Sequence, residues 1–363
     1  MMQKFKEIAS RFDIPCEIVR IENMGEGFIN DTLRVLTPDG NRDYILQRKN
    51  KRVFCDIPAM MENIRSVTSY LKAATVATGG DASREVLTQI PLRDFSQLYW
   101  QDEEGEYWTV CEFVPGSMAY ERVDTTSQAF EGGRGIGRFH RLLEGFREPV
   151  SDTIPGFHNL RLRFKQWDEA LKADISGRKS SVLEEISWIE SRRDEIMAFQ
   201  TMIETGRFPV RVAHNDTKIS NILFDADGHA LCVIDLDTMM NATVFNDFGD
   251  AIRSYTNTGA EDDADLSRVS CSMEYFEAYT RGFLAECGSM LTADELEWLP
   301  FAGRFITFEQ VLRFLMDYIN GDTYYKVTYP DHNLVRTRAQ FALLSSMEQQ
   351  YPRMQAIVAD AVK

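Results

Sequence analysis

Asp216, Asn221 and Asp235 are the residues of this chain whose types and spacing could do chemistry together. Asp216 ends the run RVAHND, and Asn221 follows five positions later. The segment ILFDADGHALCVID then returns the chain, through a turn at Asp225 to Gly228, to Asp235. A carboxylate beside a hydroxyl can orient it or take its proton. An amide oxygen and a second carboxylate are hard ligands of the kind Mg2+ takes, its other positions being filled by water and substrate phosphates. Phosphoryl transfer calls for this combination, because the protein contributes positioning and charge stabilisation rather than covalent chemistry. The spacing therefore implies a phosphoryl-transfer site, with Asp216 as catalytic residue and acceptor contact, and Asn221 and Asp235 as metal ligands.

Neighbouring residues refine that reading. His214 is expected to brace the loop by hydrogen bonds rather than to move protons. Asp237 is open between a second metal or acceptor contact and a structural role. Asp247, Phe248 and Gly249 spell D-F-G, a protein-kinase metal motif, but lie too far past Asn221 and behind the IDLD strand that already fills that role. Asp247 is expected to be a buried carboxylate that braces the loop. The absence of H-R-D and A-P-E disfavours a protein substrate, and the absence of any Gly-Lys dipeptide excludes a Walker A loop. Gly132, Gly133, Gly135 and Gly137 fail to complete G-x-G-x-x-G because the last position is Arg138, so they read as the small face of a tightly packed helix.

The elements that must position these groups follow from periodicity. After a first amphipathic helix, CEIVRIEN, DTLRVLTP and RDYILQRK read as strands, a helix follows over about 58–78, and QLYWQD and YWTVCEFV form a strand pair around the turn EEGE. From Pro115 onward helical periodicity dominates, over about 127–146, 159–173, 180–203, 265–286, 293–321 and 333–361. Short strands interrupt it at about 210–240. The stretch 256–266 reads as an exposed acidic loop. The pattern predicts an α+β, bilobal, protein-kinase-like fold: a small antiparallel-sheet N-lobe over 1–115, nucleotide-binding, and a mainly helical C-lobe over 116–363 carrying the catalytic loop, metal site and acceptor pocket.

Bulk properties narrow the partners. A formal net charge of -16 repels a phosphate backbone or an anionic membrane surface, so neither nucleic acid nor membrane is expected as a partner. No obligate protein partner is evident. Six scattered cysteines without a C-x-x-C pair argue against a disulfide framework or zinc site. With no signal-like or membrane-spanning run, they suggest a cytoplasmic protein.

Two motifs, HNDTKISN at 214–221 and VIDLD at 233–237, carry a resemblance to the aminoglycoside-phosphotransferase and choline-kinase-like family. A narrower resemblance, to bacterial N-acetylhexosamine 1-kinases, runs over nearly the whole chain. Its clearest blocks are GEGFINDT at 25–32, RVAHNDTKISNILFD at 211–225, VIDLDTMMNATVFNDFGDAIRS at 233–254, and RFLMDYINGDTYYKVTYPDHNLVRTRAQ at 313–340. The resemblance implies ATP and Mg2+ as cofactors and transfer of a phosphoryl group to the anomeric C1 hydroxyl of N-acetylglucosamine or N-acetylgalactosamine. It further implies sugar contacts at Arg313 and Tyr324, and a phosphate-covering loop with Gly25, Gly27 and Asn30. Backbone contacts to adenine are implied at Glu112 and Val114. The position of the family's third-strand Lys falls on Gln47, a candidate nucleotide contact; either Lys49, on the same strand face, substitutes, or the metal and Gln47 suffice. Glu62 is a helix partner for such a Lys only if one is present. Phe28 stands where a His occurs in the narrower group. Alternatives remain another small hydroxyl acceptor (another sugar, homoserine, choline or an aminoglycoside) or a non-catalytic nucleotide-binding module.

Overall fold

A computed structural model describes residues 2–24, 30–51 and 53–363. Gly25, Gly27 and Phe28 lie outside the described residues. In chain order the elements are α1 (Met2–Ala9), β1 (Arg20–Asn23), β2 (Asp31–Leu36), β3 (Tyr44–Lys49), α2 (Ile57–Ala77), the single-turn α3 (Ala82–Glu85), β4 (Gln89–Ile90), β5 (Trp100–Gln101) and β6 (Tyr107–Glu112). There follow α4 (Thr126–Leu142), α5 (Leu160–Ala173), α6 (Leu183–Glu190), α7 (Arg193–Glu204), β7 (Arg211–Ala213), β8 (Ile222–Phe224) and β9 (Ala230–Val233). The chain ends with α8 (Val244–Tyr255), α9 (Met273–Cys287), α10 (Ala293–Ile319) and α11 (His332–Ala361). These form a small antiparallel sheet and a mainly helical part, the fold class expected from the sequence. The chain divides into two compact units that are not contiguous in sequence.

The first unit comprises Met1–Ala119, Leu142–Pro155 and Asn221–Asn241. Its sheet runs β1-β2-β3-β6-β4, all antiparallel, with β5 also paired to β6. Alternation decides what each face meets. Tyr44 and Leu46 of β3 point into the apolar layer that α1 covers, with Ile8, Phe12, Val35 and Val110. Gln47 and Lys49 point the other way. The helix α2 starts where Asp56 accepts the amide of Ala59 at 2.9 Å and Pro58 occupies the first turn, both strong start signals. It is tied down by Asn63, whose amide bonds Ser151 O at 2.9 Å and Met239 O at 3.3 Å. The hairpin β8-β9 belongs to this unit.

The second unit comprises Tyr120–Arg141, Gly156–Ser220 and Ala242–Lys363. Its aromatic centre is Phe199, within 4.7–5.7 Å (ring centroids) of Phe208, Phe245, Phe301 and Phe305, counting the Phe208–Phe245 pair. The glycines of α4 are there for contact. A Cβ on Gly133 would fall 2.2 Å from Tyr279 O, and one on Gly137 2.5 Å from Phe283 O, so α4 lies against the backbone of α9 as the glycine pattern suggested.

Three expectations need correction. The helix read over 180–203 is broken into α6 and α7 around Ser191 and Arg192, preceded by a 3-10 turn at Lys179–Ser181. The helix read from 265 begins at Met273, where Ser272 accepts the amide of Tyr275; Leu266–Arg268 is a separate 3-10 turn. The helix α8 was not anticipated. Its apolar residues do recur at helical spacing, at Val244, Phe245, Phe248, Ile252 and Tyr255; eleven of its residues are buried because its polar side, with Asp247 and Asp250, holds the 214–217 loop instead of facing water.

Candidate active site

The loop carrying Asp216 is built in the second unit by α8. Asp247, fully buried, accepts the amide of His214 at 2.9 Å on one carboxylate oxygen and that of Asn215 at 2.7 Å on the other. Its first oxygen also lies 2.9 Å from His140 Nε2. Burial alone would raise the Asp247 pKa. His140, His214 and the amide of His214 outweigh it, and the carboxyl sits below its usual range. Asp250, one helical turn on, accepts the amide of Thr217 at 2.8 Å, and Thr217 donates its hydroxyl to Asp247 O at 2.7 Å. The D-F-G aspartate is thus a loop brace. Asn215 is held at φ +64°, a left-handed conformation that costs a non-glycine residue about 1–2 kcal/mol. Such strain persists where surrounding contacts over-determine it. His214 accepts the amide of Asp216 at 3.2 Å through Nδ1, the bracing role expected of it. Lys218 Nζ lies 2.8 Å from Asp216 Oδ2. Sequence reasoning passed over Lys218; its signal was a cation two positions past the proposed catalytic carboxylate.

Asn221 and Asp235 sit on the β8-β9 hairpin of the first unit. Ile222 pairs with Val233, and Ile234 donates its amide to Asn221 O at 2.9 Å, so Asn221 and Asp235 flank the mouth of the same hairpin. Asp235 takes φ +58° as the chain leaves β9 and enters the 3-10 turn Leu236–Thr238. One amide oxygen and one carboxylate so placed are a donor set that suits Mg2+ and leaves most of its positions to phosphate and water. Among the described residues no group of three or more His, Cys, Asp or Glu side chains gathers into a dedicated metal cage.

The same 3-10 turn settles the place of Asp237. Its carboxylate receives Lys49 Nζ at 2.8 and 2.7 Å and Asn30 Nδ2 at 2.8 Å, all buried. Lys49 also donates to Gln47 Oε1 at 2.8 Å, and Asn30 Oδ1 takes the amide of Asn50 at 3.0 Å. Gln47 and Lys49 do share a strand face, and Lys49 is a fully engaged strut between β3 and the 3-10 turn that follows β9. Glu62 is exposed and pairs with Arg65; among the described residues it makes no ion pair with a lysine. Glu112 ends β6, donates its amide to Thr88 O at 2.9 Å and pairs its carboxylate with Arg42. Val114, two residues on, is buried and its carbonyl accepts the Ser117 hydroxyl at 2.7 Å.

Arg313 and Tyr324 meet in the second unit, in a cleft of about 440 Å³ that Arg163, Gln166, Asp317 and Tyr325 also line. Arg313 Nη2 donates to the Tyr324 hydroxyl at 3.3 Å, Nη1 reaches Gln310 Oε1 at 3.5 Å, and the guanidinium lies 5.5 Å from the rings of both Tyr324 and Tyr325. Burial opposes its charge, yet Tyr325, Glu309 and Tyr324 hold its pKa above the ordinary guanidinium value. Among the described residues no carboxylate comes within ion-pairing distance of Arg313. Asp317 organises the aromatic loop: its oxygens accept the amides of Thr323 at 2.9 Å, Tyr324 at 2.8 Å and Tyr325 at 2.9 Å, and Asn333 Nδ2 at 2.8 Å. Asp317 was missed from sequence because the acceptors it serves are backbone amides, which leave no mark on residue type.

A sequence profile described as the phosphotransferase enzyme family matches residues 20–284. Among solved structures, the chain is similar to a microcompartment-associated aminopropanol kinase at 19% identity and TM-score 0.64, covering 97% of this chain and 98% of that one. It is similar to a choline kinase from Cryptosporidium parvum Iowa II at 13% identity and TM-score 0.59, covering 99% of each. A spectinomycin phosphotransferase solved with ADP and spectinomycin matches at 13% identity and TM-score 0.56, covering 99% and 98%. At these identities the structural matches speak for the fold. Among the described residues no helix is long and apolar enough to cross a membrane.

Proposed function

The chain belongs to the phosphotransferase enzyme family, and we propose that it moves the γ-phosphate of ATP to the anomeric C1 hydroxyl of N-acetylglucosamine or N-acetylgalactosamine. The observation that carries the choice of acceptor is Arg313: a buried guanidinium that faces a cleft without a carboxylate partner asks for oxygen acceptors from a ligand. Hydroxyls and an acetamido carbonyl supply them, and the Tyr324 and Tyr325 rings offer flat apolar faces to a sugar ring. A cationic amino alcohol would instead need free carboxylates facing it. Of the two carboxylates that line the cleft, Asp317 cannot serve, since five hydrogen bonds already occupy it, and the exposed Glu169 alone is left for a cation.

Each residue then has a separable task. Asp216, on its doubly braced loop, orients the acceptor hydroxyl and takes its proton; an anomeric hydroxyl is more acidic than other sugar hydroxyls, which suits a carboxylate base. Asn221 and Asp235 would hold Mg2+, which when bound neutralises charge on the transferring phosphates. Residues 1–115 handle the nucleotide, with Glu112 and Val114 offering backbone groups to adenine and Gln47 on the side of the phosphates; Asn30, bonded to Asp237 and Asn50, joins the framework. Residues 116–363 handle the acceptor. Lys49 is assigned to architecture rather than to phosphate, because its three protons are already given to Gln47 and Asp237.

The test is an acceptor panel. Purified protein with ATP and MgCl2 is offered N-acetylglucosamine, N-acetylgalactosamine, choline, ethanolamine, aminopropanol and spectinomycin, with ADP release recorded. Turnover is expected with the two hexosamines and not with the cationic alcohols. Efficient turnover with any cationic alcohol and none with a hexosamine overturns the assignment. Asp216→Asn is expected to lower the hexosamine rate about 10³-fold in a folded protein.

A further inference from the structure

Four interactions in the second unit join into one path. The peptide that links Asn215 to Asp216 is gripped at both ends: His214 Nδ1 accepts its N–H at 3.2 Å, and its carbonyl oxygen lies 3.3 Å from His158 Nε2. His158 Nδ1 lies 2.6 Å from Glu309 Oε2 on α10. The other oxygen of Glu309 receives Arg163 Nε at 3.5 Å, and Arg163 lines the same cleft as Arg313. His158 and Glu309 are both buried, at 8% and 1% exposure, too deep to be a solvated surface pair. His158 itself is held at φ +54°, in the sharp turn after Gly156 that leads into α5, where Asn159 caps the helix by accepting Leu162 N at 2.9 Å. Two left-handed non-glycine residues, His158 and Asn215, therefore meet across one hydrogen bond.

Burial disfavours a charged imidazole, but Glu309, Asp250 and the Asn215 carbonyl outweigh it, and the His158 pKa is raised. Burial likewise pushes Glu309 up, and His158, Arg313 and Arg163 bring it down to about 2. A doubly protonated ring is what the geometry needs, since the carbonyl of Asn215 and the carboxylate of Glu309 can each only accept.

We propose that His158 and Glu309 are positioning residues: they fix the strained Asn215–Asp216 peptide from the side of the acceptor cleft, so that the arginines lining the cleft and the carboxylate of Asp216 share one rigid support. This rests on the proposed role of Asp216. Neither residue touches the reacting atoms. Their effect is on the aim of Asp216, and a displacement of order 1 Å at such a group lowers rate by about 100-fold.

The experiment compares His158→Leu, His158→Gln and Glu309→Gln in the full chain. Two readouts are taken: steady-state kinetics with N-acetylglucosamine and ATP, and amide hydrogen exchange over residues 214–217 without substrate. His158→Leu is expected to lower kcat about 10- to 100-fold while KM for ATP moves less than about 3-fold, and to speed exchange at Asp216. His158→Gln, which keeps one donor for the carbonyl, is expected to recover a large part of both. Unchanged exchange over 214–217 in a folded His158→Leu protein overturns the proposal. So does a kcat per folded molecule equal to wild type, which would mark the pair as merely structural. Exchange does not depend on turnover, so it is read even if the acceptor assignment fails; the acceptor panel reports on that assignment, and Asp216→Asn on the role of Asp216.

Discussion

Lys49 and Arg313 are both buried cations, one in each compact unit, and they differ in what satisfies them. Lys49 gives its protons to two oxygens of Asp237 and one of Gln47, all within 2.8 Å. Arg313 has a tyrosine hydroxyl at 3.3 Å, a glutamine oxygen at 3.5 Å, and among the described residues no ion-paired carboxylate. A buried charge that the fold satisfies is architecture. One that the fold leaves short of acceptors, at the wall of a cleft, waits for a ligand. Sequence had already pointed to Arg313 as a sugar contact, through the resemblance, and had left Lys49 open as a substitute for the lysine usual near that strand position.

The largest expected effect breaks the saturated side. Asp237→Ala leaves Lys49 charged and unpaired in the interior and is expected to cost about 3–5 kcal/mol of stability, measured by denaturant unfolding. The double variant Lys49→Met with Asp237→Leu is expected to recover most of it. If Lys49→Met alone changes stability by less than about 1 kcal/mol and raises KM for ATP instead, Lys49 belongs to the phosphate site and the contrast fails. On the unsaturated side, Arg313→Met removes a charged donor and leaves buried Glu309 with His158 and Arg163 as its cations. A charged hydrogen bond is worth about 1.5–3 kcal/mol. KM for the hexosamine should rise about 10- to 100-fold, with the thermal midpoint held. Asp317→Asn keeps the shape but weakens the grip on three loop amides; a smaller rise in acceptor KM, with KM for ATP unmoved, is the expected result.

The smallest effect is a pH dependence from the third charged group near this cleft. The depressed Glu309 pKa, about 2 against an ordinary 4.5, contributes stability that is complete above pH 4.5 and is lost as pH falls toward 2. The raised His158 pKa contributes stability that is complete below 6.5 and is lost as pH rises through the folded value. The thermal midpoint difference between wild type and Glu309→Gln is therefore expected to be greatest between pH 4.5 and 6.5. A difference that grows steadily above pH 8 would contradict the ion pair.

Much of this was legible in residue order, and the limits have physical causes. The strands β2 and β3 alternate because one face is packed and the other half-exposed, so period two revealed them, whereas β6, with four buried residues in a row, was read from its β-rich composition. The site motif was readable because Asp216, Asn221 and Asp235 are close in sequence along one loop and hairpin. The helix α8 was passed over although Val244, Phe245, Phe248, Ile252 and Tyr255 have helical spacing, because Asp247-Phe248-Gly249 was weighed as a motif rather than as part of an element. His158, Glu309 and Asp317 were invisible for another reason: they act across 57, 151 and 6–16 positions, through carbonyl and amide groups every residue carries.

The most direct test of the whole account is the product itself. Phosphorus and proton NMR of a reaction containing ATP, MgCl2 and N-acetylglucosamine should show a phosphate coupled to the anomeric proton, one per ADP released. Phosphate coupled to the C6 protons, or ADP released with no sugar phosphate formed, would contradict it.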